Sequence, residues 1–309
     1  MPAERILVTG ASGFIGPHVV ARLRAESYPI RVTQRRDAPV PEGVERIVTG
    51  DLSESTDWRA ALAGVSHVVH LAGLAHAGPG LDEALYQRIN TQATLELAQA
   101  ARLAGVSRFV YLSSIKAQIG DVDSATLSES DEPRPDDAYG RSKLAAEQGL
   151  AGLDLDWIAL RPVLVYGPGV KANMAALLKL AQSPLPLPLG SLKALRSLVA
   201  VENLAEAIAF ALTPACPVRR SFIVADTEPV SVAEMITAMR QGLGREPGLL
   251  PVPAMLLRLA ATLLGRGELF AKLSGGLVAR PNALLRAGWQ PPAETAEALA
   301  RLAASAHAD

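Results

Sequence analysis

Through the first half of the chain, short apolar runs of strand length alternate with longer stretches whose apolar positions recur every three to four residues. The short runs predict strands at Ile6–Thr9, Ile30–Thr33, Glu45–Thr49, His67–Leu71, Arg108–Ser113 and Trp157–Arg161. The longer ones predict helices at Gly16–Ala25, Trp58–Leu62, Asp82–Leu103 and Ala138–Leu150. Strand and helix in alternation is the pattern of a parallel sheet covered on both faces, and right-handed crossovers then wind it into a Rossmann-type doubly wound α/β fold. Ligands of such sheets gather beyond the carboxyl ends of the strands. After Arg161-Pro162 the pattern loosens, with Pro184, Pro186 and Pro188 breaking a loop and short elements following.

The first strand runs into Val8-Thr9-Gly10-Ala11-Ser12-Gly13-Phe14-Ile15-Gly16, three glycines at a three-residue spacing where a strand turns into a helix. Gly10 suits the tight turn, Gly13 lets main chain approach a pyrophosphate, and Gly16 lets the helix lie close on the strand. The amides and positive end of that helix then face the anion. Residues 1–165 are therefore expected to form a dinucleotide-binding domain and residues 166–309 a smaller C-terminal substrate-binding lobe. Strands near Leu198–Val201 and Ser221–Val224 are expected to return to the main sheet.

Composition narrows the chemistry. Of 309 residues, 49% are hydrophobic and 20% charged, as in a water-soluble globular protein. The formal net charge of −1 gives no basic field for nucleic acid or an anionic surface, so phosphate binding must be local. A single cysteine, Cys216, leaves no internal disulfide, and the five histidines lack metal-site spacing, so no metal is expected. The chain starts on a strand without a charged-then-apolar leader, which suits a cytoplasmic protein. The most apolar late segment, 253–264, is interrupted by Arg258 and falls short of the roughly 20 residues a bilayer needs. It reads as an amphipathic helix packed within a domain, ahead of a membrane-surface anchor.

Tyr139-Gly140-Arg141-Ser142-Lys143 sets a phenol and an ammonium four residues apart on one helical face, and Ser113-Ser114 closes the fifth strand. Serine, tyrosine and lysine in this order behind a glycine turn resemble the short-chain dehydrogenase/reductase superfamily. The forms Thr9-Gly10-x-x-Gly13-Phe14-Ile15-Gly16 and Tyr139-Gly140-x-Ser142-Lys143 are similar to its extended branch, the NAD-dependent epimerase/dehydratase family acting on nucleotide sugars. Gly50-Asp51-Leu52, His70-Leu71-Ala72-Gly73, Asn90 with Thr94-Leu95, and Leu160-Arg161-Pro162 extend the resemblance, which runs from about residue 4 to about residue 292.

The resemblance implies that Tyr139 is the acid/base, with Lys143 beside it and Ser114, in preference to Ser113, on the reacting oxygen. A free tyrosine titrates near 10, and bringing it about three units toward neutrality needs on the order of 4 kcal/mol of phenolate stabilisation. Lys143 and a positive nicotinamide ring are expected to supply it. Gly10, Gly13, Phe14, Ile15, Gly16, Asp51, Leu52, Leu71, Ala72, Gly73, Asn90 and Ser113 are implied to line the cofactor with Tyr139 and Lys143. At the end of the second strand Gln34-Arg35-Arg36 offers no carboxylate to a ribose, and Arg35 and Arg36 can clamp a 2′-phosphate, so NADP is favoured over NAD.

Family members that dehydrate a sugar carry an acid pair where this chain has Ile115-Lys116, which disfavours dehydration. Redox at a sugar C4 remains. Net reduction of a UDP-linked 4-keto sugar stands first and UDP-hexose 4-epimerisation second; a non-catalytic dinucleotide sensor or a reductase of a small hydroxyketone stands behind both. Asn173 and Arg196 are the candidates for gripping the substrate diphosphate. Ser113-Ser114-Ile115-Lys116 with the proline-rich 184–191 segment is similar to enzymes of bacterial surface-polysaccharide biosynthesis. The resemblance also implies a homodimer through the 82–103 and 138–150 helices.

Overall fold

The computed structural model describes residues 4–75, 81–120, 126–170 and 172–308. Its centre is a seven-stranded parallel sheet in the order β11-β7-β5-β4-β1-β2-β3. In chain order its strands are β1 (Ile6–Thr9), β2 (Ile30–Gln34), β3 (Glu45–Val48), β4 (His67–His70), β5 (Arg108–Leu112), β7 (Trp157–Pro162) and β11 (Arg220–Val224). The fold is the Rossmann-type doubly wound sheet expected from the alternation, and the strand order reverses between β1 and β4.

Both faces of the sheet are apolar, as a doubly covered parallel sheet requires. Ile6 and Val8 of β1, Val69 of β4 and Val110 of β5 enter one core; Leu7, Val68, Phe109 and Tyr111, one residue out of phase, enter the other. Helices α1 (Gly16–Ala25) and α7 (Val201–Ala211) cover the first face with Val19, Leu23, Leu204 and Ile208, and Arg22 Nε pairs with Glu206 at 2.5 Å across them. The second face is closed by α2 (Arg59–Leu62), α4 (Ala93–Leu103) and α5 (Ala138–Ala151) through Leu62, Leu97, Ala101, Ala146 and Leu150.

The helix expected over 82–103 is continuous but not uniform. It opens as α3 (Glu83–Tyr86), capped by Asp82, widens into a π-helical turn over Gln87–Gln92, and resumes as α4. Such turns are frequent where a helix must present a residue to a site. Here the widened turn contains the fully buried Asn90.

The second half builds its own core around α6 (Ala172–Gln182), α8 (Val232–Gly242) and α12 (Thr295–Ala308), with Met174, Leu177, Met235, Met239, Leu299 and Leu302. Three two-stranded sheets tie this part together. They pair β8 (Leu164–Tyr166) with β10 (Leu198–Ala200), β9 (Leu195–Arg196) with β12 (Val230–Ser231), and β6 (Thr126–Leu127) with β13 (Val278–Ala279). One expectation changes: the 221–224 strand joins the main sheet as β11, whereas the 198–201 segment pairs with β8 outside it. Shared donors to Asp226 fix that arrangement, since Ala200 N and Asn203 Nδ2 donate to its carboxylate at 3.0 and 2.7 Å and Tyr166 Oη donates at 2.9 Å. Burial raises the Asp226 pKa above the ordinary carboxylate value.

The remaining helices are α9 (Ala254–Leu263), α10 (Gly267–Ser274) and α11 (Asn282–Arg286). No residue of α9 is buried. The sequence pattern of 253–264 reads as a helix packed within a domain; α9 does pack through the half-buried Leu257, but its apolar stripe is exposed.

Candidate active site

The glycine turn is built as its residue types require. Gly10 adopts φ +71°, and a Cβ there would lie 2.5 Å from Ala72 N, so the turn after β1 packs directly on the segment after β4. Gly16 is buried against Ala11, where a Cβ would strike main chain. Gly13 differs from both: it is not buried, and a Cβ there would meet only Gly10 O, at 3.3 Å. This is an open cradle over the N-terminus of α1 and fits a pyrophosphate of a dinucleotide.

Around the cradle, Thr9 Oγ1 accepts from Ala72 N at 3.2 Å and contacts His70 Nδ1 at 2.6 Å, while His70 Nε2 meets Thr94 Oγ1 at 3.0 Å. His70 is completely buried and its pKa is pushed down to about 3, chiefly by desolvation and secondarily by Lys143. It is a neutral strut between β1, β4 and α4. Asn90 Oδ1 accepts from Leu74 N at 2.7 Å and its Nδ2 donates to Leu74 O at 3.0 Å and Ser142 Oγ at 3.0 Å. The 71–74 segment is thereby hung between the glycine turn and α5.

At the start of α5, Asp137 caps the helix through Gly140 N at 2.6 Å and pairs with Lys116 at 3.3 Å. Gly140 packs so closely on Lys116 O that any side chain would collide. The first turn of α5 is thus pressed onto the 3-10 turn Ile115–Ala117 that Ser114 caps, which brings Tyr139 beside Ser114. Lys143, buried one turn on, donates to Leu112 O at 2.9 Å and stands 4.8 Å over the Tyr111 ring and 5.9 Å from the Tyr139 ring centroid. A Cβ on Gly73 would lie 3.2 Å from the same ammonium. Ser114, Tyr139, Lys143, Asn90 and Gly73 are therefore brought together in one corner, beside the glycine turn.

The electrostatics of that corner depart from the expectation. Burial pushes the Tyr139 phenol up to about 12, the Ser114 hydrogen bond opposes this, and Asp137 and Tyr86 raise it further. Lys143 falls to about 8, again by desolvation, with Glu147 acting the other way. Its ammonium is engaged by the Leu112 carbonyl and the Tyr111 face, so the chain's own groups leave the phenol protonated at neutral pH.

Other expected residues divide. Ser113 is not in the corner: its hydroxyl donates to Glu147, which is buried in an ion pair with Arg161 at 2.6 Å. Ser113 and Ser114, which follow β5, are engaged separately, Ser113 with Glu147 and Ser114 as the cap of the 3-10 turn, so that Ser114 is the one left beside the phenol. At the β2 end Arg35, 67% exposed, pairs with Asp51 at 3.4 Å, and Asp51 is held below the usual carboxylate range first by Ser53 hydrogen bonds and then by Arg35. Arg36 is exposed, and Leu52 rests against the second core. Phe14, Ile15 and Leu71 are half-buried beside the turn.

Arg196, expected on the substrate diphosphate, instead donates from Nη2 to Leu273 O at 3.0 Å and to Gly275 O. Those carbonyls end α10, where a cation is favoured by the helix dipole. Desolvation lowers its pKa. Asn173 lies in the first turn of α6, and its side chain is outside the described residues. No cluster of His, Cys, Asp and Glu able to hold a metal occurs among the described residues. Sequence reasoning did not single out Glu147 or the Lys116–Asp137 pair as supports; their signal was only that charged residues recur on otherwise apolar faces.

A Rossmann-type sheet, an open glycine cradle and a serine, tyrosine and lysine gathered at its edge define a dinucleotide-dependent enzyme of the short-chain dehydrogenase/reductase kind. The family model of the NAD-dependent epimerase/dehydratase family matches residues 6–224. The chain belongs to that family. A protein named UDP-glucose 4-epimerase from Vibrio cholerae is 34% identical over 300 residues, covering 94% of this chain and 91% of that one. Among solved structures, MoeE5 in complex with UDP-glucose and NAD is 28% identical with a TM-score of 0.72, covering 98% of this chain and 99% of that one. The UDP-glucose 4-epimerase of Thermus thermophilus in complex with NAD is 26% identical with a TM-score of 0.71, covering 97% and 98%.

Proposed function

We propose that this enzyme works at C4 of a UDP-linked hexose and that its outcome is 4-epimerisation. The observation that carries the reading is the Tyr139 ring 5.9 Å from the buried Lys143 ammonium, with the first turn of α5 packed on the turn that Ser114 caps, at the edge of the Gly10–Gly16 turn. The relative from Vibrio cholerae, similar over nearly its whole length, supports the choice of sugar nucleotide and outcome.

In this reading Gly10, Gly13, Phe14, Ile15 and Gly16 hold the pyrophosphate, Asp51, Leu52, Arg35 and Arg36 hold the adenosine end, and Leu71, Ala72, Gly73 and Asn90 line the remainder. A bound nicotinamide dinucleotide would supply the hydride acceptor and donor, and its positive charge would favour phenolate at Tyr139. Tyr139 Oη accepts the C4 hydroxyl proton and later gives it back, the general acid/base role for which a group held by a neighbouring hydroxyl is suited. Ser114 Oγ orients the reacting oxygen. Lys143, when protonated, adds positive charge behind the phenol, which favours the phenolate. Ile115 and Lys116 stand where a dehydrating enzyme needs an acid pair.

A second reading, net reduction of a UDP-linked 4-keto sugar with NADP, is favoured by Gln34-Arg35-Arg36, which sets no carboxylate against a 2′-phosphate. The reading also includes a cytoplasmic homodimer through α4 and α5, and a lobe spanning 166–309 that closes on the sugar. Purified protein given UDP-galactose should yield UDP-glucose without any net change in reduced-dinucleotide absorbance. Consumption of NADPH with a UDP-4-ketohexose, and no sugar interconversion, would instead establish the reductase.

A further inference from the structure

Helix α9 is built inside out. At about 100° per residue Met255, Leu256, Leu259 and Leu263 fall within an arc of about 100° on one side of it. These residues and the adjoining Leu264 are between 51% and 79% exposed. The hairpin is nevertheless anchored: Leu257 of α9 and Phe270 and Leu273 of α10 pack on the core of the second half, and Arg196 holds the carbonyl end of α10. A helix that packs by a few residues and turns its broader apolar stripe to solvent marks an interaction site.

Charge identifies what covers it. The 253–276 segment carries Arg258, Arg266 and Lys272 against Glu268 alone, in a chain whose formal net charge is −1. Arg258 and Arg266 are exposed, so guanidinium groups flank the stripe. Large apolar residues rimmed by basic ones match an anionic bilayer, where side chains enter the acyl boundary and guanidinium groups meet the headgroups. A second copy fits less well. A two-fold contact would bring two copies of each arginine into one interface with no acidic partner from this stripe, and a stable pair needs about 800 Å² from each partner, more than five side chains supply.

We propose that the α9–α10 hairpin docks this protein on the surface of an anionic membrane, lying in the interface without crossing it. The helices are too short for a span, and no helix among the described residues is long and apolar enough to cross a membrane. Docking would rest the second half of the chain on the lipid with the end of α10 and Arg196 next to the surface. The inference is independent of which reaction Tyr139 performs.

The test is co-sedimentation of the full chain with vesicles of phosphatidylcholine alone or of equal phosphatidylcholine and phosphatidylglycerol, alongside the Met255→Ser/Leu259→Ser/Leu263→Ser and Arg258→Glu variants. These positions are exposed and remote in sequence from the catalytic corner, so circular dichroism should show unchanged folding. The wild type should pellet with the anionic vesicles, release as salt rises, and lose about tenfold or more of its partition in the triple variant. Failure of the wild type to bind anionic vesicles, equal binding to neutral ones, or a triple variant that binds as well as wild type would overturn the proposal. So would sedimentation velocity showing a self-associated wild type that the triple variant turns monomeric without vesicles.

Discussion

Asn90 grips Leu74 by both edges of its amide, accepting from the Leu74 N–H at 2.7 Å and donating to the Leu74 carbonyl at 3.0 Å. A π-helical turn is what aims that side chain across the cleft, and Thr94 Oγ1 accordingly donates back to Asn90 O at 2.7 Å. Asn90→Ala strands a main-chain donor and acceptor at the edge of the site, each costing about 1–3 kcal/mol if it stays dry. Chemical denaturation should show the loss directly; an unchanged midpoint would mean that water replaces the amide without cost.

The Glu147–Arg161 pair is the main buried charge beneath the site, satisfied further by Ser113, Ser221 at 2.8 Å and Gln118 at 3.0 Å. Removing one partner leaves the other charged and dry. Glu147→Gln should destabilise by about 3–5 kcal/mol. The exposed Arg59–Asp57 pair provides the contrast, and Arg59→Ala should leave the denaturation midpoint where it is.

His70 gives stability a pH dependence of known sign. Its folded pKa of about 3 lies below the ordinary 6.5, so the unfolded chain binds the proton more readily between these values. Stability from this group is complete above pH 6.5 and is lost as pH falls toward 3, by about 1.4 kcal/mol per unit. Carboxylates add their own acid dependence, so the measurement is a difference: between about pH 6 and pH 4 His70→Asn should lose less stability than the wild type. Equal slopes would show that His70 can be protonated in place.

The glycines should separate folding from binding. Gly10→Ala meets both a φ of +71° and main chain at 2.5 Å, and should lower the thermal midpoint. Gly13→Ala meets only a carbonyl at 3.3 Å and should leave the midpoint intact while weakening dinucleotide affinity, measured by calorimetry with NAD and NADP. Equal affinity for wild type and Gly13→Ala would remove the cradle from the pyrophosphate.

The parallel sheet could be read from the sequence because its inner strands are short runs with buried residues on both faces, and β1, β2, β4, β5, β7 and β11 lie where those runs do, while the edge strand β3 has no buried residue. The glycine turn was accessible from its spacing, whereas Ser114, Tyr139 and Lys143 became legible as a group only through the family resemblance, which also set Ser114 ahead of Ser113. What spacing cannot show is which neighbour claims a polar group. Spacing offered Arg196 as a diphosphate ligand but could not show that its Nη2 also holds the carbonyl end of α10. The spacing set Lys143 beside Tyr139 but could not show that the Leu112 carbonyl and the Tyr111 ring share its ammonium. Leu259 and its neighbours looked like core, because an amphipathic period says that a helix has an apolar face and not that anything covers it.

The central claim is that the Tyr139 hydroxyl carries the proton while hydride moves. It is tested most directly by single-turnover spectroscopy of the dinucleotide-loaded enzyme mixed with UDP-glucose, comparing wild type with Tyr139→Phe. The variant should bind dinucleotide and sugar as the wild type does, yet accumulate reduced dinucleotide about a hundredfold or more slowly. Reduction at the wild-type rate in Tyr139→Phe would contradict the claim and move the proton to another group.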